Sequence, residues 1–226
     1  MDLLIQIILL VSVPALLLLA TVILYPLVTP TIETAGEVSM GDKTPADLGA
    51  CVLAGSMDPP HLGHIALIRH LLRRGHRRVL VVIGVNPTKR YAVDPERRAA
   101  LLRTMCATLG LEGVVVHAVE GYVWRWARKH AVRTLFRGIR SWAKDGREER
   151  MLHLLNQAGP VLLGPLRRPI PTVFLQADPA FAHISSTLVR ERCKECGQAA
   201  GAAEALADLV PRGAEGEVWR LYHRGV

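Results

Sequence analysis

Apolar residues follow two different spacings after about residue 50 of this 226-residue chain. Short aliphatic runs, many of them β-branched, are typical of buried strands; they occur at Cys51–Ala54, Arg78–Val85, Gly113–Val119, Arg133–Phe136 and Thr172–Gln176. Apolar residues at helical spacing predict helices at His64–Arg74, Asp94–Leu109, Val123–His130, Arg147–Asn156 and Ser185–Cys196. This alternation predicts an α/β fold, a Rossmann-like doubly wound parallel sheet.

The N-terminal segment has a different pattern. Leu3–Val28 comprises 26 residues without a charged side chain, and about 20 apolar residues in a helix are enough to cross the hydrocarbon core of a membrane. We therefore expect residues 1–29 to form a single N-terminal transmembrane helix that anchors the protein. A cleaved leader and a buried core helix are the alternatives. Residues 30–49 predict a polar linker, and residues 50–226 predict one domain.

Composition and charge narrow the class of protein. Hydrophobic residues make up 50% of the chain, which excludes a disordered or collagen-like protein, and four cysteines are too few for a scaffold built from disulfides. The net charge is +8, and residues 50–226 hold 27 basic and 15 acidic side chains, a balance of +12. A domain this basic is suited to polyanions such as nucleotides, nucleic acid or anionic lipid.

The first predicted strand runs into a turn and a helix that carry His61 and His64, with Gly63 between them. A helix N-terminus offers unpaired N–H groups to an anion, and a glycine lets a phosphate approach the backbone. Two imidazoles at this point can donate hydrogen bonds to a phosphoryl group during its transfer. The alternative is that the two histidines only cap the helix.

A second segment of this kind, Ile184–Arg190, follows the last predicted strand. It places Ser185, Ser186 and Thr187 at a helix start and Arg190 one turn later. Hydroxyls and an arginine in this arrangement suit the terminal phosphates of a nucleotide, although an ordinary N-cap has the same pattern. In a doubly wound sheet ligands bind beyond the carboxyl ends of strands, where the Gly55–His64 loop and the Arg137–Arg140 loop are both expected to lie.

Taken together, HxGH and ISSTxxR resemble the nucleotidyltransferase superfamily. Three further segments agree with it in the same order: NPTK at Asn86–Lys89, DPERRAALL at Asp94–Leu102 and FRGIR at Phe136–Arg140. The five segments resemble bacterial-type phosphopantetheine adenylyltransferases, and the resemblance extends over about Cys51–Arg212.

The resemblance implies transfer of AMP from ATP to 4′-phosphopantetheine, which gives dephospho-coenzyme A and pyrophosphate. It implies catalytic roles for His64 and Lys89, and Mg²⁺ that arrives with ATP without a dedicated protein site. The ATP-binding residues it implies are Ser56, Met57, His61, His64, Gly138, Ile139, Arg140, Glu149, Phe181, Ile184, Ser185, Ser186, Thr187 and Arg190. The phosphopantetheine-binding residues it implies are Ser56, Lys89, Val123 and Arg137.

Three departures from the family pattern leave alternatives open. The family usually has threonine where this chain has Ser56 and His61, and His61 is what cytidylyltransferases and nicotinamide-mononucleotide adenylyltransferases carry. The stretch from Arg140 to Asn156 is one residue longer, so Glu148 could replace Glu149 at ATP. A nucleotidyltransferase for another acceptor, or a silent nucleotide-binding module on a membrane, are the alternative functions. Bacterial relatives form hexamers, and the predicted anchor leaves the oligomeric state open.

Weaker signals receive structural interpretations. We expect Cys193 and Cys196 to be ordinary helix cysteines, with a redox or disulfide role as the alternative. Trp124 and Trp126 fit the buried and wet faces of a helix better than a nucleic-acid surface, so no nucleic-acid partner is expected. A basic cluster at a helix–strand turn is expected to be solvated or to contact anionic lipid; it comprises Arg73, Arg74, Arg77 and Arg78. With the anchor, these features predict a single-pass membrane protein whose domain faces a cytosol-like compartment.

Overall fold

The computed structural model of the chain describes residues 10, 12–14, 30–36, 47–84, 91, 93–163 and 168–224. Among these residues, the strands are β1 (Thr31–Thr34), β2 (Ala50–Gly55), β3 (Arg78–Gly84), β4 (Val114–Val119), β5 (Leu135–Ile139) and β6 (Thr172–Gln176). The helices that pack with them are α1 (Leu62–Arg73), α2 (Pro95–Thr108), α3 (Val123–Lys129), α4 (Trp142–Leu162), α5 (Ser186–Glu195), α6 (Ala202–Ala205) and α7 (Glu215–Tyr222). Short 3₁₀ turns lie at Pro179–Phe181 and Ala199–Gly201.

The six strands form one parallel sheet in the order β1-β6-β5-β2-β3-β4. The chain builds outward from β2 to β4 and then returns to place β5 on the other side of β2. The strand order therefore reverses between β2 and β5, which creates a crevice at their carboxyl ends. The prediction of a Rossmann-like α/β sheet is confirmed.

The strands in the centre of the sheet are buried on both faces. Cys51 and Leu53 of β2 belong to a large core under the helices α1, α2, α5 and α7, whereas Val52 and Ala54 belong to a smaller core on the opposite face beside α3. Successive residues of a strand point to opposite faces. A strand that is covered on both faces must therefore be apolar throughout, and this is the pattern that made these strands recognisable.

The strand β1 lies in the segment that the sequence predicts to be a polar linker. It pairs with β6 at the edge of the sheet, with Ile32 opposite Phe174. Glu33 forms an ion pair with Arg74 at the end of α1, and Ala35 is only 2% exposed. An edge strand is held by backbone hydrogen bonds on one side, so it needs no continuous apolar run. The sheet therefore includes a strand that precedes Ala50, within the predicted linker.

Two elements near the predicted site have bounds that differ from the prediction. The strand β5 extends to Ile139, so Arg137 and Gly138 lie within the strand and not in the loop after it. The helix α4 begins after Ser141, whose hydroxyl caps it, and it continues through Pro160. Glycine and proline are unfavourable inside a helix, so their presence in α4 made the sequence prediction of this helix too short. Gly159 also gives Trp124 of α3 room to approach, since a Cβ at this position would lie 2.6 Å from Trp124 Nε1.

The predicted membrane anchor lies mostly outside the described residues. Within the part of the chain that the structure describes, no helix has both the length and the apolar character needed to cross a membrane.

Candidate active site

The histidines of the HxGH segment are joined to each other through the first turn of α1. The Nδ1 of His61 accepts a hydrogen bond from the backbone N–H of Gly63 at 3.2 Å, and the Nδ1 of His64 accepts one from the backbone N–H of His61 at 3.2 Å. The two rings lie 3.8 Å apart between centroids. Both histidines therefore cap the helix, and each uses only one nitrogen of its ring to do so. In a neutral imidazole whose Nδ1 is an acceptor, Nε2 carries the proton and can donate it to a ligand.

Burial keeps both rings uncharged. It lowers the pKa of His61 well below the usual 6.5, and the charges of Arg140 and of His64 in its protonated form oppose protonation of His61 and lower this pKa further. Burial also lowers the pKa of His64 to about 4. At neutral pH the two rings are therefore neutral hydrogen-bond donors. They add no positive charge to the surface that a phosphate would contact.

Gly63 is required by the closeness of these groups. A Cβ at this position would lie 3.0 Å from two ring atoms of His61 and 3.8 Å from the carbonyl oxygen of Phe181. Glycine thus lets His61 fold back over the helix N-terminus and lets the Phe181 segment approach it.

The ISSTxxR segment is in direct contact with the loop that precedes His61. Ser185 caps α5 by accepting a hydrogen bond from the N–H of Leu188 at 3.1 Å. The hydroxyl of Ser186 donates to the carbonyl of Pro59 at 2.8 Å, across 127 positions of the chain. Arg190 donates to the carbonyl of Asp58. The two segments that the sequence predicts to bind phosphate therefore form one surface.

Two ion pairs lie where β5 meets α4. Arg137 pairs with Glu149, and Arg140 pairs with Asp145 at 2.6 Å. Burial alone would raise the pKa of Asp145, but hydrogen bonds from the side chain and backbone of Arg140 outweigh it and lower that pKa. The same carboxylate raises the pKa of Arg140. Each arginine is thus oriented by a carboxylate of α4.

The other residues implied for the site lie in different environments. Met57, Ile139 and Ile184 are at most 4% exposed, so a ligand can reach them only through their backbone. Val123 packs against the smaller core, and Ser56 is exposed. The segment Asn86–Lys89 and the side chain of Glu148 lie outside what the structure describes, so the roles of Lys89 and Glu148 remain predictions.

Three residues that contact this surface were not among those implied by the sequence. Arg98 is fully buried and donates to the carbonyl of Ser56, and its guanidinium stacks 4.3 Å above the ring of Tyr91. Asp58 and Tyr222 form a buried hydrogen bond. The sequence could have indicated the buried position of Arg98, because this residue occupies the apolar face of α2 together with Leu102 and Met105. Nothing in the sequence indicated the contact of Tyr222, because its partner Asp58 lies 164 positions away in the chain.

The carboxylates around this surface are engaged by protein groups. Glu149 pairs with Arg137, Asp145 with Arg140, and Asp58 with Tyr222 and Arg190. Within the described ranges there is no group of three or more histidine, cysteine, aspartate or glutamate side chains placed to hold a metal ion. The donor set at this surface consists of imidazole, hydroxyl and guanidinium groups, which suit phosphate oxygens.

Known proteins share this sequence and this fold. Residues 52–192 match the family model described as cytidylyltransferase-like. Among curated relatives, a phosphopantetheine adenylyltransferase of Brucella anthropi is 37% identical over 143 residues, which are 62% of this chain and 82% of the relative. A phosphopantetheine adenylyltransferase of Psychromonas ingrahamii is 35% identical over 146 residues, which are 65% of this chain and 84% of the relative.

The fold also has a counterpart among solved structures. The Plasmodium falciparum nicotinic acid mononucleotide adenylyltransferase complexed with NaAD matches with a TM-score of 0.50 and 14% identity, over 77% of this chain and 95% of that chain. At this identity the match supports the fold alone. The similarity to phosphopantetheine adenylyltransferases that the sequence indicates is confirmed by the curated relatives.

Proposed function

Because the chain belongs to the cytidylyltransferase-like family, we propose that it is a nucleotidyltransferase that moves AMP from ATP to 4′-phosphopantetheine. One observation carries this proposal: the curated relatives that are 35–37% identical over most of their length are named phosphopantetheine adenylyltransferases. The products are dephospho-coenzyme A and pyrophosphate, so the reaction belongs to coenzyme A synthesis.

The geometry of the site supports this chemistry. An oxygen of the 4′-phosphate attacks the α-phosphorus of ATP, the bond from that phosphorus to the bridging oxygen breaks, and pyrophosphate leaves with the electron pair. The attacking group is already anionic, so the protein has to position it and to neutralise charge. The Nε2–H groups of His61 and His64 and the N-terminus of α1 suit the α-phosphate, where negative charge accumulates in the transition state.

We assign the remaining residues by their place in the site. Ser185, Ser186, Thr187 and Arg190 bind the terminal phosphates of ATP, while Phe181, Ile184 and the Gly138–Arg140 segment enclose the nucleotide. On the acceptor side, Lys89 holds the phosphate of phosphopantetheine, Val123 lines its arm, and Arg137 is presented to it by Glu149. Ser56 lies between the two substrates, and Met57 contributes only its backbone.

Mg²⁺ is proposed to arrive with ATP, bound by phosphate oxygens and water. The carboxylates that the structure describes at this surface already pair with arginine or tyrosine, so ATP itself supplies the oxygen ligands that this ion prefers. When bound, the ion neutralises part of the charge of the phosphate chain.

We also propose that residues 3–28 anchor the protein in a membrane by a single span, with the domain on a cytosol-like face. The support is the run of 26 residues without a charged side chain and the excess of basic over acidic side chains in residues 50–226, which suits anionic head groups. The substrates ATP and phosphopantetheine are abundant in compartments of this kind. The edge strand β1 begins at Thr31, so the segment available to join the anchor to the sheet is very short.

A substrate panel tests the proposed function. Full-length protein in detergent is incubated with ATP or CTP and with phosphopantetheine, nicotinamide mononucleotide or phosphocholine, and pyrophosphate release is measured. We expect release only with ATP and phosphopantetheine, and its loss in a His64→Ala control. Preference for nicotinamide mononucleotide, which His61 would favour, would assign the chain to the alternative acceptor. Nucleotide binding without release from any pair would support the silent module.

A further inference from the structure

The loop between β2 and α1 is anchored by side chains from two helices, α2 and α5. Arg98 of α2 donates to the carbonyl of Ser56, Arg190 of α5 donates to the carbonyl of Asp58, and Ser186 of α5 donates to the carbonyl of Pro59. This loop leads directly into His61 and His64. Its backbone path therefore decides where the two Nε2–H groups point.

Asp58 is the centre of this arrangement. The residue is 6% exposed, and its Oδ1 accepts a hydrogen bond from the hydroxyl of Tyr222 at 2.9 Å. Its Oδ2 lies 3.8 Å from Nη1 of Arg190. The phenol holds one carboxylate oxygen, so the other faces the arginine. Burial and the adjacent Asp58 carboxylate raise the pKa of Tyr222, so its hydroxyl keeps its proton and remains a donor.

Arg190 is consequently held in one orientation from two sides. Its Nη1 contacts the carbonyl and carboxylate of Asp58, and its Nη2 donates to Thr187 Oγ1 at 3.2 Å. A guanidinium with two of its corners fixed presents its remaining N–H groups in a defined direction. Fixing a donor before the ligand arrives reduces the entropy lost on binding and in the transition state.

We propose that Tyr222, in the last described helix of the chain, is a positioning residue for phosphoryl transfer: through Asp58 it sets the orientation of Arg190 and the path of the loop that carries His61 and His64. The proposal rests on the function proposed above and deepens it. Tyr222 lies outside residues 52–192, which match the family model, so the C-terminal helix α7 completes a site that the family region does not complete by itself.

The chain provides a matched pair of variants on α7. Tyr222→Phe removes only the hydroxyl that reaches Asp58. Trp219→Phe removes a different hydrogen bond of the same helix, from Trp219 Nε1 to the carbonyl of Cys196 at 2.7 Å, which has no connection to the loop. A merely structural role for α7 predicts similar effects of the two substitutions on stability and on activity.

Both variants are made in the full-length chain and compared by thermal unfolding, by steady-state kinetics and by ATP titration calorimetry. We expect Tyr222→Phe to lower kcat by about 10- to 100-fold, the cost of a small displacement in a catalytic site. It should raise the dissociation constant of ATP by about 3- to 10-fold, since a hydrogen bond to a charged group is partly lost. Trp219→Phe should leave kcat and the dissociation constant of ATP within about twofold of the wild-type values, because the substitution lies away from the site. The two variants should unfold at similar temperatures.

Equal kcat and equal ATP affinity in the two variants would overturn the proposal. If the wild type does not use phosphopantetheine, the proposed function fails, but the ATP titrations still test the role of Tyr222. Weaker ATP binding in Tyr222→Phe than in Trp219→Phe supports the positioning role, and equal ATP affinities in the two variants refute it. If Tyr222→Phe does not fold, Asp58→Asn replaces it. This variant keeps an acceptor for the phenol but removes the charge that faces Arg190, and wild-type ATP affinity in it would refute the role.

Discussion

Arg137 and Glu149 form a buried ion pair that connects β5 to α4. The guanidinium donates two hydrogen bonds to the carboxylate, from Nε to Oε2 and, at 2.9 Å, from Nη2 to Oε1. The side chains are only 15% and 10% exposed. The sequence assigns Arg137 to the acceptor and Glu149 to ATP, but a carboxylate that already accepts two hydrogen bonds from arginine is better placed to orient that arginine. We therefore expect Glu149 to act on the acceptor through Arg137.

This pair leads to a prediction about stability. Glu149→Ala leaves the Arg137 charge buried without a partner, so the free energy of unfolding should fall by about 3 kcal/mol. The exposed pair of Arg192 and Glu195, at 3.7 Å, provides the control, and Glu195→Ala should change the free energy of unfolding by less than about 1 kcal/mol. Urea denaturation measures both. Equal losses in the two variants would show that the buried pair has no special role.

The function of His64 can be separated from its role as a cap. His64→Ala removes the Nδ1 acceptor and the Nε2 donor, whereas in His64→Asn the amide oxygen can still accept the hydrogen bond from the His61 N–H. Loss of one preorganised donor costs about 100- to 1,000-fold in turnover. We expect a loss of this size in both variants, with ATP affinity changed far less and with stability better preserved in the asparagine variant. Near wild-type turnover in His64→Asn would contradict the catalytic role.

The lowered pKa of His64 predicts how stability depends on pH. The pKa of His64 is about 4 in the folded protein, against about 6.5 in the unfolded chain. As pH falls from about 6.5 towards 4, the unfolded state therefore gains a proton that the folded state does not, and stability declines. Thermal unfolding across this range should show the decline, and His64→Asn should make it shallower. Identical pH dependence in the two proteins would mean that the pKa of His64 is not lowered in the folded protein.

Lys89 and Arg190 should affect different substrates. Lys89→Ala should mainly raise the KM for phosphopantetheine, because the resemblance assigns its ammonium group to the acceptor phosphate. Arg190→Ala should weaken ATP binding by about 10-fold or more, since a charged hydrogen bond contributes about 1.5–3 kcal/mol, and it should also release Asp58. Calorimetric titration of each ligand into each variant separates the effects. The reverse pattern would mean that the two roles are exchanged.

The anchor predicts how the protein partitions. Full-length protein should stay in the membrane fraction during alkaline carbonate extraction, since inserting leucine, isoleucine and valine is favourable by about 0.3–0.6 kcal/mol per residue. A chain that begins at residue 30 should be released and remain active. A second truncation at Ala50 removes β1 and with it the ion pair between Glu33 and Arg74, so it should be less stable. Release of full-length protein by carbonate, or a mature N-terminus after residue 30, would indicate a cleaved leader.

Features that depend on near neighbours in the chain could be predicted from the amino-acid sequence. The apolar run of β3 identifies a strand covered on both faces. Asp94 marks the start of α2, because its side chain accepts a hydrogen bond from Arg97, three residues later. The HxGH segment identifies its own capping geometry, since both hydrogen bonds join residues at most three positions apart. Hydrogen bonds of this range depend on local residue types, so a pattern can reveal them.

Contacts between distant segments of the chain could not be predicted in this way, because they form only when the chain folds. The strand β1 is stabilised by backbone pairing with β6. Because this pairing does not require apolar side chains, Thr31–Thr34 shows no apolar pattern that would predict a strand. Tyr222 is paired with Asp58 across 164 positions, and Arg137 is oriented by a carboxylate on the next helix. In each case the partner is brought near by the order of the strands and the packing of helices on them. The residue type alone cannot specify such a partner. The same tyrosine or arginine would be exposed to water if the fold placed it on another surface.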